Sequence, residues 1–242
     1  MIRQGTRSAA AMITLLAMII LLPGCLYPDD QLAKQPAKDA ILNVQTVIDQ
    51  YQKDTGLLPI QNSDQDTPIY EKYLIDFAKL QRMNYLTSIP ETAYEKGGSY
   101  YYLIINEETD PTVKLMNLVI YQQVNDVQAA VKTYRSGHNG ELPSSDEAYP
   151  DFVRIDYKKL AVKEPVIRSM FTGQTLYTLM DAKGNVYIDY GSDIMQAIEK
   201  AGGKSIAPAQ DLRGLLVNNA DFVPVKSPVY HLINGEPQAV LK

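Results

Sequence analysis

A stretch with helical periodicity occurs twice in this chain, and that repetition constrains the fold more than any other feature. Residues 41–59 carry Val44-Gln45-Thr46-Val47-Ile48-Asp49-Gln50-Tyr51, then Gly56 and Pro59; residues 124–143 carry Val127-Gln128-Ala129-Ala130-Val131-Lys132-Thr133-Tyr134, then Gly140 and Pro143. The offset is 83 residues through the helical part and 84 at the Gly and Pro, so the turn has gained one residue. A fainter third copy runs over residues 194–208. Apolar residues recur at steps of three and four, the period of a helix with one buried stripe. Gly56 and Gly140 stand where a helix ends in a left-handed residue, and the following Pro cannot continue it.

The second part of each copy recurs too. Tyr73-Leu74-Ile75-Asp76-Phe77-Ala78-Lys79-Leu80 matches Val153-Arg154-Ile155-Asp156-Tyr157-Lys158-Lys159-Leu160, with Asp211-Leu212-Arg213-Gly214-Leu215 as a worn third version. Asp76, Asp156 and Asp211 precede short apolar-periodic stretches, where a carboxylate accepts the unpaired amides of a new helix. Paired strands follow: 100–105 with 113–116, 176–180 with 186–190, and 230–233 with 238–241 across Asn234-Gly235, a strong hairpin signal. The expected fold class is α+β, built of tandem units in which an amphipathic helix packs on an antiparallel sheet or hairpin. The expected units are residues 38–117, residues 118–191, and a shortened third helix-hairpin unit over 192–242.

Residues 1–24 are expected to be a removable leader. Arg3 and Arg7 give a positive start, and an apolar run of about 14 residues from Ala9 to Leu22 follows, short of the roughly 20 that span a bilayer. The leader closes on Leu22-Pro23-Gly24-Cys25. With Leu22 three residues and Gly24 one residue before Cys25, the segment resembles a bacterial lipoprotein lipobox. The resemblance implies a diacylglyceryl group on Cys25, cleavage before it, and acylation of the new amine. Two or more chains give stable anchoring. Cys25 is the only cysteine of 242 residues, so no disulfide framework is available to an exported chain. Residues 25–37 are polar, with Pro28 and Pro36, and read as a linker. Without Arg3 and Arg7 the remainder carries 21 basic against 28 acidic residues, a net charge of −7, which argues against nucleic acid as a partner.

The helix with its terminal Tyr, Gly and Pro, the short helix leading into Tyr85-Leu86-Thr87-Ser88-Ile89-Pro90, and the Tyr-rich strands together resemble the globular heads of type IV pilins and type II secretion pseudopilins. The resemblance covers most of the first two units. Only topology carries over, because a lipobox stands where those families have a prepilin cleavage site before a long apolar helix. The whole chain also resembles uncharacterised lipoproteins of Gram-positive spore-forming bacteria, which implies a membrane-anchored, extracytoplasmic address and no particular activity.

Few residues suggest chemistry. His138 sits in a Gly137-His138-Asn139-Gly140 turn and His231 in a strand, neither with a His or Cys partner at ligand spacing. No phosphate loop, Gly-x-Ser-x-Gly elbow or His-Glu-x-x-His is present. Asn62, Asp64 and Asp66 place oxygens at alternate positions, as a calcium loop does, but Thr67 occupies the place of the turning Gly and Tyr73 that of the bidentate Glu; a solvated acidic loop is the other reading. Tyr100, Tyr101 and Tyr102 alternate across a strand, so one face packs on the core while the other is a candidate surface for a glycan or an envelope protein. No cofactor is expected beyond the lipid on Cys25, with Ca2+ as the one metal to consider.

These features point to a non-catalytic envelope protein that binds or scaffolds a partner, tethered to the membrane by its lipid. The alternative is an envelope hydrolase acting on peptidoglycan through Asp64, Asp66, Asp146 and Glu147, which requires two carboxylates facing each other across a cleft at about 5 to 9.5 Å. A solute-binding transporter component requires parallel strands, against which the hairpins argue.

Overall fold

The computed structural model describes residues 29–202, 207 and 209–241, with side-chain surroundings from residue 38 onward. The leader, Cys25 and Pro208 lie outside the described residues. The residues from 38 onward form one compact unit. The fold is mixed α+β, with antiparallel hairpins between helices.

Helix α1 (Asp29–Thr55) turns Ile41, Val44, Ile48 and Tyr51 into the core. Its described residues include 29–37, inside the stretch the sequence reads as a linker. Gly56 ends it at φ 68°, donating its N–H to the Gln52 carbonyl at 2.8 Å, as the sequence predicts. Two short helices follow, α2 (Ile69–Lys72) and α3 (Phe77–Arg82). The hairpin of β1 (Tyr100–Ile105) and β2 (Thr112–Asn117) comes next, with Tyr100 opposite Asn117 and Ile105 opposite Thr112. Ile60 bridges Ile75 and Leu74 bridges Leu103, so two vestigial strands continue the hairpin beyond β1.

Helix α4 (Leu118–Gly137) starts the next round, capped by the Asn117 side chain, which accepts from the Ile120 N–H. Behind it lies a four-stranded sheet in the order β3 (Ser144–Tyr149), β4 (Phe152–Ile155), β7 (Thr178–Asp181), β8 (Val186–Ile188). Helix α5 (Tyr157–Leu160) and a minor ladder, β5 (Ile167–Arg168) with β6 (Thr175–Leu176), fill the connection. Strand β3 is absent from the sequence reading. Ser-Ser-Asp-Glu-Ala-Tyr lacks apolar alternation because it lies at the sheet edge, where three of its residues are exposed.

The last part comprises α6 (Gly191–Lys200), α7 (Arg213–Val217) and the hairpin β9 (Val229–Ile233) with β10 (Glu236–Val240). Asn234 and Gly235 both have positive φ in its two-residue turn, as an Asn-Gly hairpin requires. Before β9, residues 220–227 run between the outer strands of the two earlier hairpins. Leu115 donates to the Asp221 carbonyl at 2.9 Å and accepts from Val223 at 3.0 Å, while Ile188 donates to the Lys226 carbonyl at 2.9 Å. One segment thus satisfies the open edges of both β2 and β8, which would otherwise invite pairing with another chain.

Candidate functional site

Both long helices grip their own hairpin through a glutamine. The Gln45 carboxamide donates to the Pro111 carbonyl at 3.0 Å and accepts from the Val113 N–H at 2.7 Å. Gln128, its counterpart, donates to the Gly184 carbonyl and accepts from the Val186 N–H, both at 2.8 Å. The aspartates behave alike as well. Asp76 and Asp156 cap α3 and α5, and each donates its own N–H to the carbonyl of the repeated proline, Pro59 or Pro143, at 2.8 Å. Asp211 departs from this pattern. The residue before α7 is Leu212, and although the Asp211 carboxylate accepts the Arg213 amide at 3.1 Å, it is also engaged by the Arg213 guanidinium at 2.6 to 3.1 Å.

Arg213 is 7% exposed. Besides Asp211 it reaches the Ser227 carbonyl at 3.1 Å and lies 5.0 Å over the Tyr70 ring. Burial pushes the Tyr70 phenol up to about 12, although the guanidinium pulls the other way. Beside it Lys226 pairs with Glu71 at 3.2 Å and covers Tyr121 at 4.3 Å. Helix α2 is therefore held against the C-terminal part by two cations. A cleft of about 390 Å³ beside Arg213 has Phe152 and Val229 in its wall and Asp66 at its rim.

A larger groove, about 540 Å³, runs between α6 and α7. Asp193, Gln196, Ala197 and Lys200 come from one side, and Leu215, Leu216 and Asn219 from the other, with Phe171 and Thr172 closing one end. Asp193 is 1% exposed. Its carboxylate accepts from Ser169 at 2.7 Å and from the Thr172 hydroxyl. The Ser169 oxygen in turn accepts from the Phe171 and Thr172 amides at 2.9 and 3.1 Å. Burial raises the Asp193 pKa above the ordinary 3.8 and the two hydroxyls pull it back. Behind this network, one Asp189 oxygen collects Tyr149 at 2.8 Å, Tyr230 at 2.9 Å and the Gly191 N–H at 3.0 Å. A Cβ on Gly191 would stand 2.5 Å from the Tyr149 hydroxyl, so a side chain here would displace that hydroxyl from Asp189.

The sequence-predicted residues fall elsewhere. Asn62, Asp64 and Asp66 are exposed on the loop before α2, where the Asp64 carbonyl accepts from Thr67 at 3.2 Å. Among the described residues, no group of three or more His, Cys, Asp or Glu is placed to hold a metal ion. Tyr102 is 2% exposed, edge-on to Phe77 and bonded to Thr92 at 2.6 Å. Tyr100 is half-buried against Phe222. Tyr101, on the opposite face, is half-buried as well, packed against the core with its ring 4.9 Å from that of exposed Tyr94. The run is therefore mostly core, and the tyrosine that reaches solvent beside it is Tyr94, which the strand pattern alone could not indicate. Asp146 and Glu147 are exposed on β3, and neither lines the cleft that Asp66 rims. His138 stacks on Tyr134 at 3.8 Å. Asp193 and Arg213 were not singled out as site residues, since nothing in sequence marks a buried carboxylate or a buried guanidinium.

The described body is thus an α+β protein with helices laid on antiparallel hairpins and a polar-ended groove near its C-terminal part. Residues 37–117, about a third of the chain, match the family model of the YphF family N-terminal domain, to which this stretch is similar. No curated protein and no solved structure matches the chain. No described helix is long and apolar enough to cross a membrane.

Proposed function

We propose that the chain is a binding module of the cell envelope, lipid-anchored through Cys25 on the extracytoplasmic face, that holds its partner in the groove between α6 and α7 without transforming it. The observation that carries this reading is the groove itself. Its volume of about 540 Å³ lies within the range of pockets that take small molecules, with apolar walls and few polar groups. A catalytic carboxylate works with a second titratable group in reach, whereas the partners of Asp193 are two hydroxyls, and Ser169 is 6% exposed. The lipobox ending at Cys25 and the net negative charge suit a protein held off an anionic surface by its tether. The hydrolase reading draws no support from Asp64, Asp66, Asp146 and Glu147, which stand exposed on two separate elements.

Crosslinking in whole cells, comparing the native chain with Cys25→Ser, tests this. The native chain is expected to pellet with membranes and Cys25→Ser to lose that association. A Cys25→Ser protein that still pellets would place the anchor elsewhere.

A further inference from the structure

We infer that residues 62–72 form a strap that opens as one unit while the rest of the body stays folded, with the Glu71–Lys226 ion pair as its latch. The strap lies apart from the groove between α6 and α7 and governs access to the cleft beside Arg213.

Both ends of the strap are pinned. Gln61 donates its N–H to the Leu74 carbonyl at 2.8 Å and its carboxamide to the Ile75 carbonyl at 3.2 Å. The Tyr73 carbonyl accepts from Ile104 in β1 at 2.9 Å. The chain therefore leaves the body and returns to it at one place, the geometry of an Ω-loop. Between the pins little is committed to the core. No residue from 62 to 72 is buried, and α2 lacks a side-chain cap. Its bonds turn inward: Thr67 donates to the Asp64 carbonyl at 3.2 Å, Glu71 to the Pro68 carbonyl at 2.8 Å, and the Lys72 ammonium to the Gln65 carbonyl at 3.1 Å. A segment that bonds to itself and buries little is one that opens at low free energy.

What ties the strap down is concentrated in α2. Half-buried Tyr70 packs on the core with the Arg213 guanidinium 5.0 Å over its ring, and the Glu71 carboxylate meets Lys226 at 3.2 Å. The catch belongs to the rigid side. Lys226 holds φ at 50° and its carbonyl accepts from Ile188 in β8 at 2.9 Å. A left-handed lysine is a costly conformation that the surroundings must enforce, and such residues gather at clamps and switches. The Lys226 ammonium also lies 4.3 Å from the Tyr121 ring, so it keeps an attractive neighbour when Glu71 withdraws. Pro68 stands between two cavities, of about 390 and 200 Å³, that share Tyr187, Arg213 and Ser227 in their walls. Lifting the strap joins them into one open cleft.

The test is amide exchange by NMR on the full-length chain in detergent micelles, at low salt and over a range of sub-denaturing urea. The Glu71 amide is expected to exchange at least about a hundredfold faster than the Val113 amide and almost independently of urea, as a local opening does. Lys226→Met removes the latch without altering the strap, and should accelerate the Glu71 amide about fivefold while leaving Val113 unchanged. Sodium chloride at about 1 M should accelerate it about twofold in the native chain and not in Lys226→Met. A second readout reports the cleft itself. Labelling of Ser227→Cys by a bulky maleimide, with the native chain as the blank for Cys25, should quicken in parallel when Lys226→Met is added. A Glu71 amide as slow and as urea-dependent as Val113, or equal acceleration of both amides by Lys226→Met, would overturn the strap. An unchanged Glu71 rate in that variant would overturn the latch, and unchanged Ser227→Cys labelling would overturn the gating of the cleft.

Discussion

In residues 38–117 the sheet beside the long helix is reduced to one hairpin and isolated bridges, whereas in 118–191 it is a complete four-stranded sheet. The joints are nevertheless the same. Ile60 bridges Ile75 as Ser144 bridges Ile155, and Leu74 bridges Leu103 as Arg154 pairs with Leu179. The glutamine clamps and the proline-to-aspartate bonds coincide as well. What differs is how each hairpin turns. Asp181 ties the second turn by accepting from the Lys183 and Asn185 amides, both at 2.8 Å, while the first turn, closed by Asn106 and Thr109, is longer. The lesson is that bonds fixing helix to hairpin persist where edge strands drift, because a clamped backbone N–H left unpaired in a buried place costs more than a lost edge pair.

The comparison is sharpest at Leu80 and Leu160, matched in sequence but not in burial: Leu80 is 0% exposed and Leu160 is half-buried. Leu80→Ala should cost about 2–5 kcal/mol in urea unfolding, and Leu160→Ala clearly less; equal losses would show that the two short helices are packed alike after all. The clamps come next. Gln45→Ala and Gln128→Ala should each cost about 1–3 kcal/mol by leaving a strand amide unpaired, and the double variant should sum, since the clamps share no partner. The caps are smaller: Asp76→Ala and Asp156→Ala should each cost about 1 kcal/mol, with a markedly smaller value at one site marking where the match fails.

The smallest effect concerns Asp193. Its folded-state pKa is raised above 3.8, chiefly by burial, so the protonated form is favoured in the fold. That contribution is fully present below the unfolded value and is lost as pH rises through the folded one. Relative to Asp193→Asn, which does not titrate there, the native chain should gain melting temperature as pH falls from 7 toward 4.

Much of the architecture was legible in the sequence. Helix period, the Gly56 terminator, the Asp76 and Asp156 caps and the Asn234-Gly235 turn are local signals that survive into structure, whereas α4 ends at Gly137, three residues before Gly140. What was not legible depends on tertiary contact. Residues 220–227 stitch two sheets through their backbone, which has no side-chain signature, and β3 is polar because an edge strand must be. Asp211 reads as a cap until Arg213 folds back onto it, and Tyr102 reads as a candidate surface residue until Phe77 and Thr92 enclose it. Asp193 looks like any acid in the first turn of a helix; only the meeting of α6 with Ser169 and Thr172 buries it.

The claim that one helix-to-hairpin joint is used twice is tested most directly by native-state hydrogen exchange at the Val113 and Val186 amides. Both are expected to exchange slowly in the native chain, with Gln45→Ala accelerating Val113 alone and Gln128→Ala accelerating Val186 alone. Fast exchange at either amide in the native chain, or acceleration of both by one substitution, would contradict it.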